Sequence, residues 1–580
     1  MELSDQQKDV VNAPIAPLSV IACAGSGKTT SAVQRLINLR QALTRERGYV
    51  ALLSFSNVAV NTFRREFLAR SAEVRDRHPY FDRVSIETLD SFISGNILRP
   101  HAFRVMQSSC APFLITGNES FLENKDYKFW AAPKSGKKFP VPPKDIKSIT
   151  IRFNGKEFSA YYSHRNSLIS IDGWKKVVDR LGKIGAYTHE FGKYWVLREL
   201  LDNSQLLSAF AKRYPHIIVD EAQDIDCLHG FILDVLSEAG VKVSLIGDPH
   251  QAIYEFTGAD GAYLTAFNSL PSTLSFPLSI NRRSVKAIVD ASNNISGAKT
   301  ESIRQTEKKE FGAYYCTYKS NQENDLIEAF CNKLDGIGID KSDAAILVRA
   351  NKLANELHGN ISSIGQGKTQ LLAKAAIKRD VEGNSLAAFD LVSSCISSLI
   401  DGAPKDFKSR IFRSSKGDIY HQTKILIWKF IRCNDSGLPS SKLPAKSEWH
   451  PKLKGNVSSL LKFVCELHGF GYVDKLGNKL SSTKLPGDPF DKNGGLNFSP
   501  SKTLVRVDTV HQSKGEGIGA VMYIVTKDHA KKLINGTGTE LGRIGYVAIT
   551  RARDYFVLAL PDSSEKELKE ELGRIGLMKW

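Results

Sequence analysis

The chain has 580 residues, 42% of them hydrophobic, and its 79 Lys and Arg outnumber its 62 Asp and Glu for a formal net charge of +17. That length makes roughly three or four domains with substantial cores, which excludes a disordered chain, and the positive surplus points to a polyanionic partner. The eight cysteines, Cys23, Cys110, Cys227, Cys316, Cys331, Cys395, Cys433 and Cys465, form no CxxC pair, which argues against a disulfide framework and against a zinc or iron–sulfur site. No apolar run approaches a membrane span and the opening MELSDQQKDV lacks a basic-plus-apolar signal, so the sequence reads as cytoplasmic with no membrane association.

In chain order, Leu18 to Ile21 is an apolar run read as a strand, followed by a small-residue loop and then SAVQRLINL with helical spacing. Gly25 and Gly27 let backbone amides close around phosphate oxygens, and the following helix adds its positive N-terminal end. Lys28 reaches the outer phosphates and Thr29 can ligate Mg²⁺. The candidate nucleotide cradle is therefore Ala22, standing where the phosphate-loop pattern has its first glycine, with Cys23, Ala24, Gly25, Ser26, Gly27, Lys28, Thr29 and Thr30; Arg35 on the same helix joins it.

VALLSFS and RVSIETL follow as strands. Residues 121 to 180 then carry 13 Lys and Arg against 6 Asp and Glu, net +7, with Phe129, Trp130 and Trp174 interleaved, a composition suited to neutralising a nucleic-acid backbone and stacking bases. Within this stretch KSGKKFPVPPK reads as a Pro-rich loop. SITIRFNGKEFSAYY alternates apolar and polar residues around Asn154-Gly155, which predicts a hairpin.

The run HIIVDEAQDID places Asp220 and Glu221 directly after the apolar Ile217, Ile218 and Val219. A strand buried on both faces delivers such acids to its carboxyl edge, where open α/β sheets hold ligands. There Asp220 can hold Mg²⁺ while Glu221 orients or deprotonates an attacking water.

VSLIGD closes the first group of strands, and AAILVRA, LVRVDTV, AVMYIV and YFVLAL make a second. Alternation with helical stretches predicts an α/β fold of two parallel-sheet domains, each interrupted by a long insertion. Residues 376 to 499 mix helical stretches with loops rich in Lys, Ser and Pro, and residues 401 to 500 carry 17 Lys and Arg against 9 Asp and Glu, net +8.

The order of motifs resembles the superfamily 1 DNA helicases of the UvrD/Rep type nearly end to end. The resemblance implies two RecA-like domains of the phosphate-loop NTPase fold, 1–95 with 205–275 and 276–375 with 500–580, and insertions 96–204 and 376–499. LSDQQKDVV is similar to the family's glutamine motif, so Gln7 is expected at the adenine edge. LLSFSNVAVNTF and TLDSF correspond to segments that place Phe55, Asn57, Thr88 and Asp90 on single-stranded DNA. In IGDPHQAIYEFTGA, Gln251 is implied as the sensor between phosphate and DNA, with Tyr254 and Phe256 offering aromatic faces. LSINRRS implies Arg283 at the γ-phosphate, VDTVHQSKGEG implies Thr509 and His511 on DNA, and GYVAITRARD implies Arg551 as the arginine finger. Three positions depart from the family pattern. Arg282 stands where an aromatic residue stacks on adenine, Thr257 replaces an arginine, and Glu516-Gly517 displaces the acid implied for the ribose, with Glu516 kept as the candidate.

The resemblance implies an ATP- and Mg²⁺-dependent 3′-to-5′ helicase or translocase acting on single-stranded or partly duplex DNA in repair or processing. A helicase-like subunit of a nuclease-containing antiviral defence complex is the alternative, and a non-motor phosphate-loop ATPase a further one. Against the last, a transporter-type LSGGQ signature is absent and a passive binder has no use for Arg283 and Arg551. A fused nuclease domain is not expected in the 29 residues after Arg551.

Overall fold

Short apolar runs ending in small or acidic residues build two parallel sheets. The computed structural model describes all residues except 1–2, 44–47, 76–81, 118, 165–166, 256–257, 320–321, 350–352, 355–356, 358–366, 381–383, 405, 415–416, 484, 486, 488 and 491–504. In the first sheet six parallel strands lie in the order Leu274–Leu278, Leu18–Ala22, Lys242–Gly247, His216–Asp220, Val50–Ser54 and Val84–Thr88. Ile21 pairs with Gly247, Asp220 with Ile246 and Val219 with Leu53, so Ala22, Asp220 and Gly247 reach the same carboxyl edge. All five residues of His216–Asp220 are buried, as a central strand covered on both faces requires.

The second sheet is also six-stranded and parallel, in the order Arg506–Thr509, Ala344–Val348, Ile518–Ile524, Ala552–Pro561, Gly312–Tyr318 and Met578–Lys579. The expected mixed α/β fold with two parallel sheets is present. Three strands of these sheets escaped the sequence reading, Leu274–Leu278, Gly312–Tyr318 and the two-residue Met578–Lys579. The first contains Pro277, which lacks an N–H for the ladder and is tolerated because this strand lies at the sheet's edge.

Between the first-sheet strands lies a five-stranded antiparallel sheet in the order Phe139–Pro140, Trp130–Ala132, Ser167–Asp172, Phe158–His164 and Ile149–Phe153. Phe153 pairs with Phe158, leaving Asn154 to Glu157 as the turn; the Asn154 carboxamide oxygen accepts from Lys156 N and Glu157 N, and Gly155 takes φ 89°. The segment read as a Pro-rich loop contains the short strand Phe139–Pro140. Both parallel sheets and this third sheet belong to one unit, residues 1–116, 126–354 and 505–580. A second unit, residues 117–125 and 355–504, is helical, its core formed where helices such as Ser385–Ser397, Ile419–Arg432 and His450–His468 enclose Trp449, whose indole N–H donates to Pro439 O at 3.1 Å. Among the described residues no helix is long and apolar enough to cross a membrane.

Ile218 is fully buried in the central strand. Truncation to alanine removes its packing and leaves a cavity, so Ile218→Ala is expected to cost about 2–5 kcal/mol, read as a lower thermal midpoint of the nucleotide-free protein.

Candidate functional site

The phosphate loop begins where the first strand ends. Ala22 is a strand residue paired with Leu278, so the missing first glycine costs nothing: no positive φ is needed there. Gly25 and Gly27 do take left-handed φ, 72° and 82°. They also permit close approach, because a Cβ on Gly25 would lie 2.7 Å from Arg283 Cβ and one on Gly27 2.4 Å from Gln7 Nε2. The helix Lys28–Ala42 begins at Gly27 with no side-chain cap, which leaves its first N–H groups facing the loop. Burial pushes the Cys23 thiol up to about 11, so it stays protonated.

Gln7 is buried and engaged locally. Its carbonyl oxygen accepts from Ser4 N at 2.9 Å and its NH₂ donates to Ser26 O at 3.1 Å, closing the helix Asp5–Asn12 onto the phosphate loop. The neighbouring Gln6 bonds Ser279 through both ends of its amide. Arg35 is not brought to the phosphates. Its guanidinium is fully buried and donates to Val10 O, Ala13 O and Pro14 O, tying that same helix to Lys28–Ala42.

Asp220 is buried at the strand end with Oδ1 lacking any hydrogen-bond partner. Burial and the neighbouring Glu221 charge push its carboxyl up to about 7, against the pull of Lys28. Glu221 is also desolvated, yet Lys28, Lys514, a hydrogen bond from Gln223 and Arg551 hold it down at about 2. The pair thus divides into an ionised Glu221 and an Asp220 that ionises fully only beside added positive charge. Glu221 sits at φ 54°, a strained setting for a residue with a Cβ, and Gln223 Nε2 fixes its carboxylate at 2.5 Å. The orphaned, buried Asp220 oxygen is a donor that fits Mg²⁺, which takes one or two protein oxygens and completes its shell with phosphate and water; Thr29, at the start of the helix Lys28–Ala42, would supply a hydroxyl. Among the described residues no cluster of three or more His, Cys, Asp or Glu could hold a metal without such help.

Arg283, on the strand Ile280–Val285 that pairs with Glu301–Arg304 outside both six-stranded sheets, and Arg551, at the end of the helix Glu540–Arg551, meet at this edge. Arg283 Nη1 and Arg551 Nη1 each donate to the same acceptor, Glu516 O, at 3.1 Å. Arg551 Nη2 also donates to Gln251 Oε1 at 3.0 Å, and Gln251 Nε2 to Asp248 Oδ2 at 2.7 Å. Burial, reinforced by Arg551, lowers Arg283 to about 10, and burial lowers Arg551. Two desolvated cations resting on neutral acceptors are poised for an anion. Lys514 grips Asp224, three residues after Glu221, at 2.5 and 2.7 Å. Glu516 turns its own carboxylate to Arg506, and Arg282 donates its backbone N–H to Gly25 O at 3.0 Å.

Beside this network lies a cavity of about 560 Å³ whose lining includes Phe55, Asp90, Tyr254 and His511. The structure therefore brings together four of the residues implied for DNA. Asn57, Thr88 and Thr509 do not line it: Thr88 caps the helix Leu89–Ile93, and Thr509 Oγ1 donates to Gln512 Oε1 at 2.9 Å. Phe256 and Thr257 lie outside the described residues. Phe129 and Trp174, read as stacking candidates, are core residues instead, packed against Phe191 and Tyr194.

The sequence reading missed a buried charge cluster on the cavity wall. Lys193 bridges Glu190 and Asp226, and His229 bridges Asp226 at 3.1 Å and Asp90 at 3.2 Å. Glu190 also accepts from Ile151 N at 2.7 Å, which pins the antiparallel sheet to the same cluster. Asp90 and Asp226 lay in legible motifs, TLDSF and HIIVDEAQDID, without a role for Asp226; Glu190, Lys193 and His229 are scattered and meet them through the fold.

Residues 3–149 and 174–271 match the family model described as the UvrD/REP helicase N-terminal domain. Over these residues the chain is similar to the helicases of the UvrD/Rep type. It is 24% identical over 344 residues to the probable DNA helicase II homolog of Mycoplasma capricolum subsp. capricolum, covering 57% of this chain and 44% of that protein. It is 24% identical over 371 residues to DNA helicase II of Haemophilus influenzae, 60% of this chain and 48% of that protein. Over 96 residues it is 35% identical to RecBCD enzyme subunit RecB of Borreliella burgdorferi, 16% of this chain and 8% of that protein. The chain thus spans less than half the length of these relatives. The matched family segments flank residues 150–173, which carry most of three strands of the antiparallel sheet.

Burial lowers the His229 pKa, but Asp226 and Asp90 outweigh it and raise the group to about 9. A raised value means that the stabilisation is complete below the unfolded pKa of about 6.5 and is lost as pH climbs through about 9. The thermal midpoint gap between the wild type and His229→Gln is therefore expected to shrink between pH 6.5 and 9.5; a constant gap would remove the charge from this account.

Proposed function

We propose that the protein is an ATP-driven motor on single-stranded DNA, a 3′-to-5′ translocase or helicase, with residues 1–95 and 205–275 as one RecA-like domain and 276–375 and 500–580 as the other. One observation carries this reading: Lys28, Asp220 and Glu221 at the edge of the first sheet share one polar network with Arg283, from the strand Ile280–Val285, and Arg551, from the helix Glu540–Arg551, beside a cavity lined by the aromatic Phe55 and Tyr254 and by both basic and acidic side chains. The names of the relatives, DNA helicase II among them, support DNA as the substrate.

In this reading Gly25, Gly27 and the helix start cradle ATP phosphates, while Thr29 and Asp220 hold Mg²⁺, which when bound neutralises phosphate charge. Glu221, already ionised, accepts a proton from the attacking water. Lys28, Arg283 and Arg551 stabilise the charge spread over the transferring γ-phosphoryl oxygens. To reach them, both arginines leave Glu516 O. That carbonyl belongs to the segment 511–517, whose His511, Gln512 and Lys514 line the cavity, so phosphate contact and strand contact compete for one loop. Differential contact of this kind is what a ligand needs to shift a conformational balance.

A second reading, a helicase-like subunit of a nuclease-containing complex, draws on the local likeness to RecB. It predicts DNA-stimulated ATP hydrolysis with strand separation only in the presence of a nuclease partner; unwinding by the isolated chain excludes it.

Glu221→Gln is expected to abolish turnover while ATP binding persists, and DNA-stimulated hydrolysis surviving in that variant contradicts the assigned base. Arg551→Ala is expected to lower kcat roughly a thousandfold with little change in nucleotide-free DNA affinity, measured by steady-state ATPase and oligonucleotide titration.

A further inference from the structure

The helicase motifs leave the five-stranded sheet unused. Its inner face is committed to packing: Phe158 meets Tyr194 at 4.9 Å between ring centroids, Phe153 meets Phe231 at 4.9 Å, and Ile151 and Ala160 are buried. The outer face is different. Trp130 pairs with Asp172, Ala132 and Tyr161 with Ser170, Thr150 with Tyr161, and Arg152 with Ser159. Because side chains alternate across a strand, Trp130, Tyr161, Arg152 and Thr150 share this side. Trp130 is 44% exposed and Leu168, on the same side, 47%. The Arg152 guanidinium lies 5.5 Å from the Tyr161 ring centroid, and Asp172 is neutralised by Lys138.

The face also continues from the site already described. Lys147 and Thr150, at the sheet's edge strand, line the cavity that holds Phe55 and Tyr254. Most of the face falls in residues 150–173, between the segments that match the family model.

We propose that this outer face is a second binding surface for single-stranded nucleic acid, extending the cavity's path. Bases would stack on Trp130 and Tyr161, and phosphates meet Arg152 and Lys147. The charge argues for nucleic acid, since residues 121 to 180 carry net +7 and lysine-rich surfaces are disfavoured at protein interfaces. The exposed Trp130 plane, with the partly exposed Tyr161 beside it, argues for a single strand, because a duplex keeps its bases stacked internally and offers those planes only backbone. Three strand spacings separate Ile149–Phe153 from Trp130–Ala132, about 14 Å, room for at most about four stacked nucleotides. The inference rests on the proposed function only in taking the cavity as the strand's path.

The test is a length series of oligo(dT) titrated against the full chain by fluorescence anisotropy. Wild-type affinity is expected to rise once the oligonucleotide outgrows the cavity. The double variant Trp130→Ala/Tyr161→Ala is expected to lose that increment, about 5- to 100-fold, while affinity for the shortest oligonucleotide that stimulates ATP hydrolysis, and the stimulation itself, stay unchanged. Trp130→Phe/Tyr161→Phe is expected to retain the increment, and Arg152→Gln to lower the salt slope by about 0.7. Equal long-oligonucleotide affinity in the wild type and a folded alanine variant overturns the proposal, and so does a larger loss on blunt duplex than on oligo(dT). If no oligonucleotide stimulates wild-type hydrolysis, the motor reading fails, while the affinity comparison still decides the face.

Discussion

Two guanidinium groups resting on a single backbone carbonyl are the interaction on which the rest of the site depends. Arg283 and Arg551 are both desolvated; they donate to neutral acceptors, Glu516 O and the Gln251 amide, while the Glu221 charge acts on both through space. Burying a cation without a full partner is costly unless a ligand later supplies the missing charge. The fold maintains this arrangement by building both sheets rigidly around it, with Ser284 donating to Ala552 O at 2.7 Å beneath one arginine and Val547 O accepting from the other.

The acid side of the site is arranged in the complementary sense. Asp248 N donates to Gln223 Oε1 at 3.0 Å, and the other end of that amide holds Glu221. Asp248 also accepts from Gln251, which touches Arg551. A continuous hydrogen-bonded path therefore joins the left-handed Glu221 to Arg551 through two side-chain amides. Glutamine suits both positions because one end donates while the other accepts.

The legible parts of the sequence were those where local chemistry and chain order coincide. The central strand declared itself through Ile217, Ile218 and Val219, and the phosphate loop through its glycines, because each segment's role is set by residues adjacent in sequence. Gly312–Tyr318 was not legible, since its mixed small and aromatic residues show neither a continuous apolar run nor a clean alternation. Arg35 was misplaced for a related reason. A cation on the phosphate-binding helix looks available from sequence, and only three-dimensional packing reveals the three carbonyls of a preceding loop that engage it. Phe129, next to Trp130 in sequence, points the other way into the core, and Trp174 opens the helix Trp174–Lys183 with its ring buried, distinctions that composition alone does not carry.

The charge cluster at Lys193 has a consequence for the architecture of the whole first lobe. Glu190 and Lys193 come from the helix His189–Asp202, whereas Asp226 and His229 belong to the start of the helix Cys227–Glu238, soon after Asp220 and Glu221. Removing the stretch that holds Lys193 would leave Asp226 and Asp90 with His229 as their remaining partner in this cluster. That stretch is therefore no detachable accessory: its loss would unbalance buried charge on the wall behind the candidate acids.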